Sequence, residues 1–150
     1  MHLHFLLSND DGINAPGLRA LALRLRREGR VSVVAPDRER SAIGHAITVH
    51  YPLRVQSVSL AEGIAAYAVD GTPADCVRLG LEVLVPEEDP CDVVVSGINA
   101  GENLGTDVIY SGTVSAAMEA AIMGVPALAV SLVTGADTLG SWDDAADIAA

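Results

Sequence analysis

Leu3-His4-Phe5-Leu6-Leu7-Ser8-Asn9-Asp10-Asp11-Gly12 is an apolar run that stops abruptly at two adjacent acids and a glycine. A short uninterrupted apolar run closed by turn residues reads as a strand buried on both faces that passes into a loop. The acidic pair therefore lies at the carboxyl end of a strand. Downstream, Pro16 suits a first helical turn, and Leu18, Leu21, Ala22 and Leu25 fall on one helical face, with Arg19, Arg26 and Arg27 largely off it. Gly29 is expected to end that helix. Val31 to Ala35 is a second short strand stopped by Pro36, and Asp37 to Gly44 has loop chemistry.

The same alternation continues along the chain. Ile47 to Val58 reads as extended structure, with Pro52 favouring an edge strand or hairpin over a central strand. Thr72-Pro73-Ala74-Asp75 has the form of a helix start with Thr72 as N-cap, and Cys76, Gly80, Val83 and Leu84 are expected to share a face. Asp92 to Ser96 is a third strand, expected to break into a glycine-rich loop from Gly97 to Gly105. Ser111-Gly112-Thr113 opens another helix, with Val114, Ala117, Met118 and Ala121 expected to share one face. Gly124 closes that helix, Val125 to Leu132 reads as a strand, and Ser141 to Ala150 begins a helical pattern. Strands separated by helices predict an α/β fold with a mostly parallel sheet and helices on both faces, in which ligands bind at the strands' carboxyl ends.

At 150 residues the chain is expected to form one domain, residues 1–150. Half the residues are hydrophobic and only 3% aromatic, so the core must be built from Val, Leu, Ile and Ala. A net charge of -11 disfavours duplex nucleic acid and anionic membranes as partners, and is compatible with recruitment of a cation. All nine basic residues are arginine, which excludes chemistry that needs a lysine of this chain. Cys76 and Cys91 form no CxxC motif and read as small buried apolar groups. With neither a signal segment nor a membrane-length apolar run in the sequence, the cytoplasm is the expected location.

Two adjacent carboxylates repel each other unless a cation lies between them. A hard divalent ion, Mg²⁺ or Mn²⁺, prefers oxygen donors, and Asp10, Asp11, the Ser41 hydroxyl and the Asn99 amide oxygen are the candidate set. The competing reading is that the acids simply cap the next turn. Gly97, Gly101 and Gly105 permit close backbone approach, and Ser111, Gly112 and Thr113, with the Asn99 amide, offer donors to a phosphate at a helix N-terminus, alongside ordinary N-capping. His45 is a candidate general acid if its loop folds over the site, with a surface histidine as the alternative. Arg38 and Arg40 are candidates for steadying phosphate or the acids, or are solvated. Asp107 and Tyr110 lie between the two motifs, with an orienting role at most.

Ser8-Asn9-Asp10-Asp11-Gly12, Ala15-Pro16-Gly17 and Ala35-Pro36-Asp37-Arg38 before Ser41 together resemble the SurE family of 5'/3'-nucleotidases. Gly71-Thr72-Pro73-Ala74-Asp75-Cys76-Val77, Ser96-Gly97-Ile98-Asn99-Ala100-Gly101 and Tyr110-Ser111-Gly112-Thr113-Val114 extend the likeness to about Leu132. The resemblance implies a Rossmann-like three-layer α/β sandwich and one divalent metal ion per subunit. The implied ligands are Asp10, Asp11, Ser41 and Asn99, and the implied reaction is hydrolysis of nucleoside monophosphates by attack of a metal-activated water. It also implies a C-terminal extension that this chain is expected to lack, and a homodimer or homotetramer for the full-length form. Two other classes compete: a non-catalytic nucleotide-binding domain, and a phospho-receiver module, which the missing lysine disfavours.

Overall fold

The computed structural model describes residues 2–135 and 140–150. Six strands form one sheet: β1 (Leu3–Ser8), β2 (Gly29–Pro36), β3 (Val55–Val58), β4 (Ala65–Val69), β5 (Val93–Ala100) and β6 (Ala127–Leu132). Their order is β3-β4-β2-β1-β5-β6, with every pair parallel except β3 and β4. Helices α1 (Pro16–Leu25) and α4 (Trp142–Ala149) cover one face, and α2 (Pro73–Leu79) and α3 (Gly112–Ile122) cover the other. This is the expected three-layer α/β sandwich with a mostly parallel sheet.

The two cores follow from the alternation of β1. Phe5 and Leu7 face α1, where Leu18, Leu21, Ala22 and Leu25 are buried, while Leu6 faces Cys76, Val77, Ala116 and Ala120. Chain order reverses about β1: the connection through α1 leads to β2 on one side, and the later β5 lies on the other. A crevice opens at such a reversal, and Asp10 and Asp11 follow the strand at its centre.

Several local expectations are corrected. The extended reading of Ile47 to Val58 shrinks to β3, an edge strand, because Pro52 interrupts the segment before it. Strand β4 was not anticipated, since its alanines carry little strand propensity. The expected face of Cys76, Gly80, Val83 and Leu84 fails because α2 passes into a π-helical turn over Gly80–Leu84 that shifts the helical phase. Val83 is left exposed, while Gly80 packs so tightly on Leu6 that a Cβ there would lie 2.6 Å from its Cδ2. Gly29 opens β2, three residues beyond the helix's C-cap at Arg26.

The glycine-rich loop also begins later than expected. Strand β5 runs through Gly97 to Ala100, because β6 resumes pairing beyond an irregularity, with Asn99 opposite Ser131 and Ala100 opposite Leu132. Gly97 has φ +135°, and a Cβ there would collide with the Val130 carbonyl oxygen, so the residue marks a bulge inside a strand. The bulge places Ile98 in the core and delivers Asn99 to the sheet edge.

Finally, α3 turns a different face inward. Met118 and Ala121 are exposed, and Ser115, Ala116, Glu119 and Ala120 are buried. Cys76 and Cys91 are free thiols, and burial raises both pKa values, that of Cys91 to about 11.

Candidate active site

Asn9 builds the turn that presents the acids. Its side chain donates to the Gly12 carbonyl at 3.0 Å and accepts from the Gly12 N–H at 3.2 Å, while Gly12 takes φ +99°. Asp10 is thereby directed inward and is 4% exposed. Its Oδ1 accepts the Thr113 hydroxyl at 2.6 Å, and Gly112 packs so closely that a Cβ would lie 2.6 Å from Asp10 Cβ. Asp11 points outward, where its Oδ2 accepts the Ala100 N–H at 2.9 Å. Burial holds the Asp11 carboxyl above its usual 3.8, with further upward pushes from Asp10 and Glu39, against the downward pull of the Ala100 hydrogen bond.

One pocket at the strands' carboxyl ends is lined by Asp10, Asp11, Ser41 and Asn99, so the acidic pair, the Ser41 loop and the glycine-rich stretch converge as expected, and Ser111 joins them from the start of α3. Glu39, Ala42, Ala100, Asn103, Asp107 and Tyr110 complete its wall. Glu39 and Asn103 were missed as site residues. Glu39 accepts the Ser41 hydroxyl at 2.7 Å, a link that spacing hints at only once Ser41 is placed. Asn99 Nδ2 donates to the Gly101 carbonyl at 2.9 Å, which orients the amide. Ser111 caps α3, its hydroxyl accepting the Val114 N–H at 3.2 Å. Gly101 and Gly105 owe their identity to positive φ angles of +116° and +57°, since a Cβ at either would meet nothing within 4 Å.

Thr113, His45 and Arg40 are engaged by other partners, and Arg38 takes the solvated alternative. The Thr113 hydroxyl is committed to Asp10. His45 lies outside the pocket wall, with Nε2 2.6 Å from Glu119 Oε2, so it is not aimed at a leaving group near the acids. Arg40 donates its backbone N–H to the Asp10 carbonyl at 2.7 Å and its guanidinium to the Asp70 carbonyl at 2.9 Å, while the Arg38 side chain is exposed.

The pattern that defines the family described as "Survival protein SurE" matches residues 5–150. The chain belongs to the SurE family. Among family relatives, the protein named 5'-nucleotidase SurE of Geobacter sulfurreducens is 60% identical over 132 residues, covering 88% of this chain and 48% of the relative. Its namesake in Pelobacter propionicus is 57% identical over 147 residues, covering 98% and 57%. The crystal structure of SurE protein from Aquifex aeolicus superimposes with a TM-score of 0.84 at 45% identity, covering 97% of this chain and 56% of that one. The chain thus spans about half the length of these SurE proteins.

The chemistry of the donor set fits a hard cation. Among the described residues, the pocket wall carries the carboxylates of Asp10, Asp11, Glu39 and Asp107 and no basic side chain. Among the described residues no three His, Cys, Asp or Glu side chains are grouped as a metal cage, so neutral oxygens such as those of Ser41 and Asn99 would have to complete the coordination. No helix among the described residues is long and apolar enough to cross a membrane.

Proposed function

We propose that this chain carries the catalytic centre of a metal-dependent phosphomonoesterase that converts nucleoside 5'- and 3'-monophosphates to nucleoside and phosphate. The carrying observation is the pocket wall, which among the described residues holds four carboxylates and no basic side chain. Such a wall repels a phosphate dianion unless a cation lies between them. The names of the SurE relatives, 5'-nucleotidase, support the substrate class.

In this reading Asp10, Asp11, Ser41 and Asn99 hold one Mn²⁺ or Mg²⁺ ion. When bound, the ion supplies Lewis acidity, acidifying water at neutral pH and drawing charge from the phosphoryl oxygens. Asp10, buried and held by Thr113, is the fixed ligand. Asp11, at the open side of the pocket, orients the attacking water and accepts its proton. The first-turn amides of α3 at Gly112 and Thr113 have no carbonyl partner within the helix, and they receive the phosphoryl oxygens together with Ser111. Attack in line with the leaving alkoxide then needs positioning rather than a covalent intermediate. The protein acts in the cytoplasm, with a homodimer or homotetramer as the assembly of the longer form.

The test is phosphate release from a panel of 5'- and 3'-nucleoside monophosphates with Mn²⁺, Mg²⁺ or EDTA, for this chain, a full-length form and their Asp10→Asn variants. Turnover that needs metal and vanishes in the variant is the expected result. A full-length form that binds nucleotide in EDTA and never releases phosphate would overturn the catalytic reading in favour of a binding domain.

A further inference from the structure

Glu119 is a carboxylate buried in the middle of α3, 5% exposed, with a histidine of the loop after Ser41 and an arginine of α2 brought to it. His45 Nε2 lies 2.6 Å from Oε2, and Arg78 of α2 lies 3.7 Å from Oε1. A buried charge is retained only where partners compensate its lost hydration. Here one of those partners is the residue four places after Ser41.

The segment between Arg40 and Thr48 is tied at further points. The Gly44 N–H donates to the Tyr110 carbonyl at 3.1 Å, and Thr72 Oγ1 donates to the Ala46 carbonyl at 2.7 Å. Thr48 donates its N–H and hydroxyl to Asp75 at 2.9 and 2.6 Å. Between these anchors Ala42 holds φ +57°, a left-handed conformation that a residue with a Cβ adopts only under restraint from its surroundings. Ser41, just before it, makes a local bond to Glu39.

We propose that His45 and Glu119 form a clamp that positions Ser41 in the metal site, a role that rests on the reading of Ser41 as a ligand. Helix α3 then organises both halves of the site. Thr113 in its first turn holds Asp10, and Glu119 two turns later holds the loop that carries Ser41. His45 and Glu119 are positioning residues, acting through Ser41 without touching substrate. The Thr72 and Asp75 contacts give the middle motif the same purpose, since it braces this loop from the α2 side.

The clamp is tested in this chain by two readouts that need no turnover: hydrogen exchange at the Gly44 amide by NMR, and Mn²⁺ binding by calorimetry. His45→Ala should speed Gly44 exchange and weaken Mn²⁺ binding, each about tenfold, and His45→Gln, which keeps a donor toward Glu119, should recover most of both. The double variant His45→Ala with Ser41→Ala should bind Mn²⁺ no more weakly than Ser41→Ala alone. Unchanged Gly44 exchange in His45→Ala, or losses that add in the double variant, would overturn the clamp. If the unaltered chain binds no Mn²⁺, the metal-site reading fails separately, and Gly44 exchange still decides whether the clamp exists.

Discussion

Thr113 Oγ1 donates a 2.6 Å hydrogen bond to Asp10 Oδ1 across 103 positions of sequence, in a space closed to solvent. The bond makes the first turn of α3 the support of the acid that follows β1. Thr113→Val keeps the shape and removes the donor, leaving a buried carboxylate short of a partner. The expected cost is about 1–3 kcal/mol of stability by urea denaturation, with Thr113→Ser close to the unaltered chain. A Thr113→Val variant of full stability would show that Asp10 does not depend on this bond.

Gly112 packs against Asp10 with no room for a methyl group, the nearest atoms being Cβ at 2.6 Å and Oδ2 at 2.9 Å. Gly112→Ala should leave the circular dichroism spectrum intact and displace Asp10 or the helix start. A displacement near 1 Å at a catalytic group lowers kcat about 10²-fold. Phosphate release within a few-fold of the unaltered protein would contradict this packing argument.

Asp11 titrates above its ordinary 3.8 in the folded chain, chiefly through burial. The folded state therefore binds a proton more tightly than the unfolded state. The stability this contributes is complete below 3.8 and is lost as pH rises through the folded value. In EDTA at pH 7, Asp11→Asn should raise the melting temperature by about 2 °C, and in a separate titration without chelator it should abolish Mn²⁺ binding. At pH 3 the melting gain should disappear, and a gain that persists there would point to another cause.

Asp75 accepts from three donors of two residues at once. Its carboxylate accepts the Thr72 N–H that closes the α2 capping box, and also both donors of Thr48. Asp75→Ala should cost about 2–3 kcal/mol by denaturant unfolding, from the lost cap and the unpaired donors. Near-neutral stability would show that the middle motif does not brace the Ser41 loop.

Much of this architecture was legible because it depends on local periodicity. Strand β1, the inner face of α1, the Thr72 and Ser111 caps, and the convergence of Asp10, Ser41 and Asn99 follow from short-range patterns joined to the rule that α/β sheets bind ligands at their carboxyl edge. The inner face of α3 was not legible. Glu119 looks like a solvent-facing residue until His45 and Arg78, distant in sequence, are seen to surround it. The bulge at Gly97 was hidden for a similar reason, since a glycine in an apolar run reads as the start of a loop when its neighbour strand is unknown.

The sequence by itself determined β1, α1, β2, the starts of α2 and α3, and β6, with the chemical groups at their ends, because backbone preference and apolar spacing act over a few residues; β4, the π-helical turn after α2 and the run of β5 past Gly97 were decided by the assembled sheet. Tertiary structure alone decided which polar groups meet. It committed Thr113 to Asp10 and turned His45 toward Glu119, away from the pocket. It also added Glu39 to the wall beside Ser41. Hydrogen bonds and charge pairs depend on distances of a few ångströms between residues far apart in the chain, and those distances exist only once the sheet is assembled.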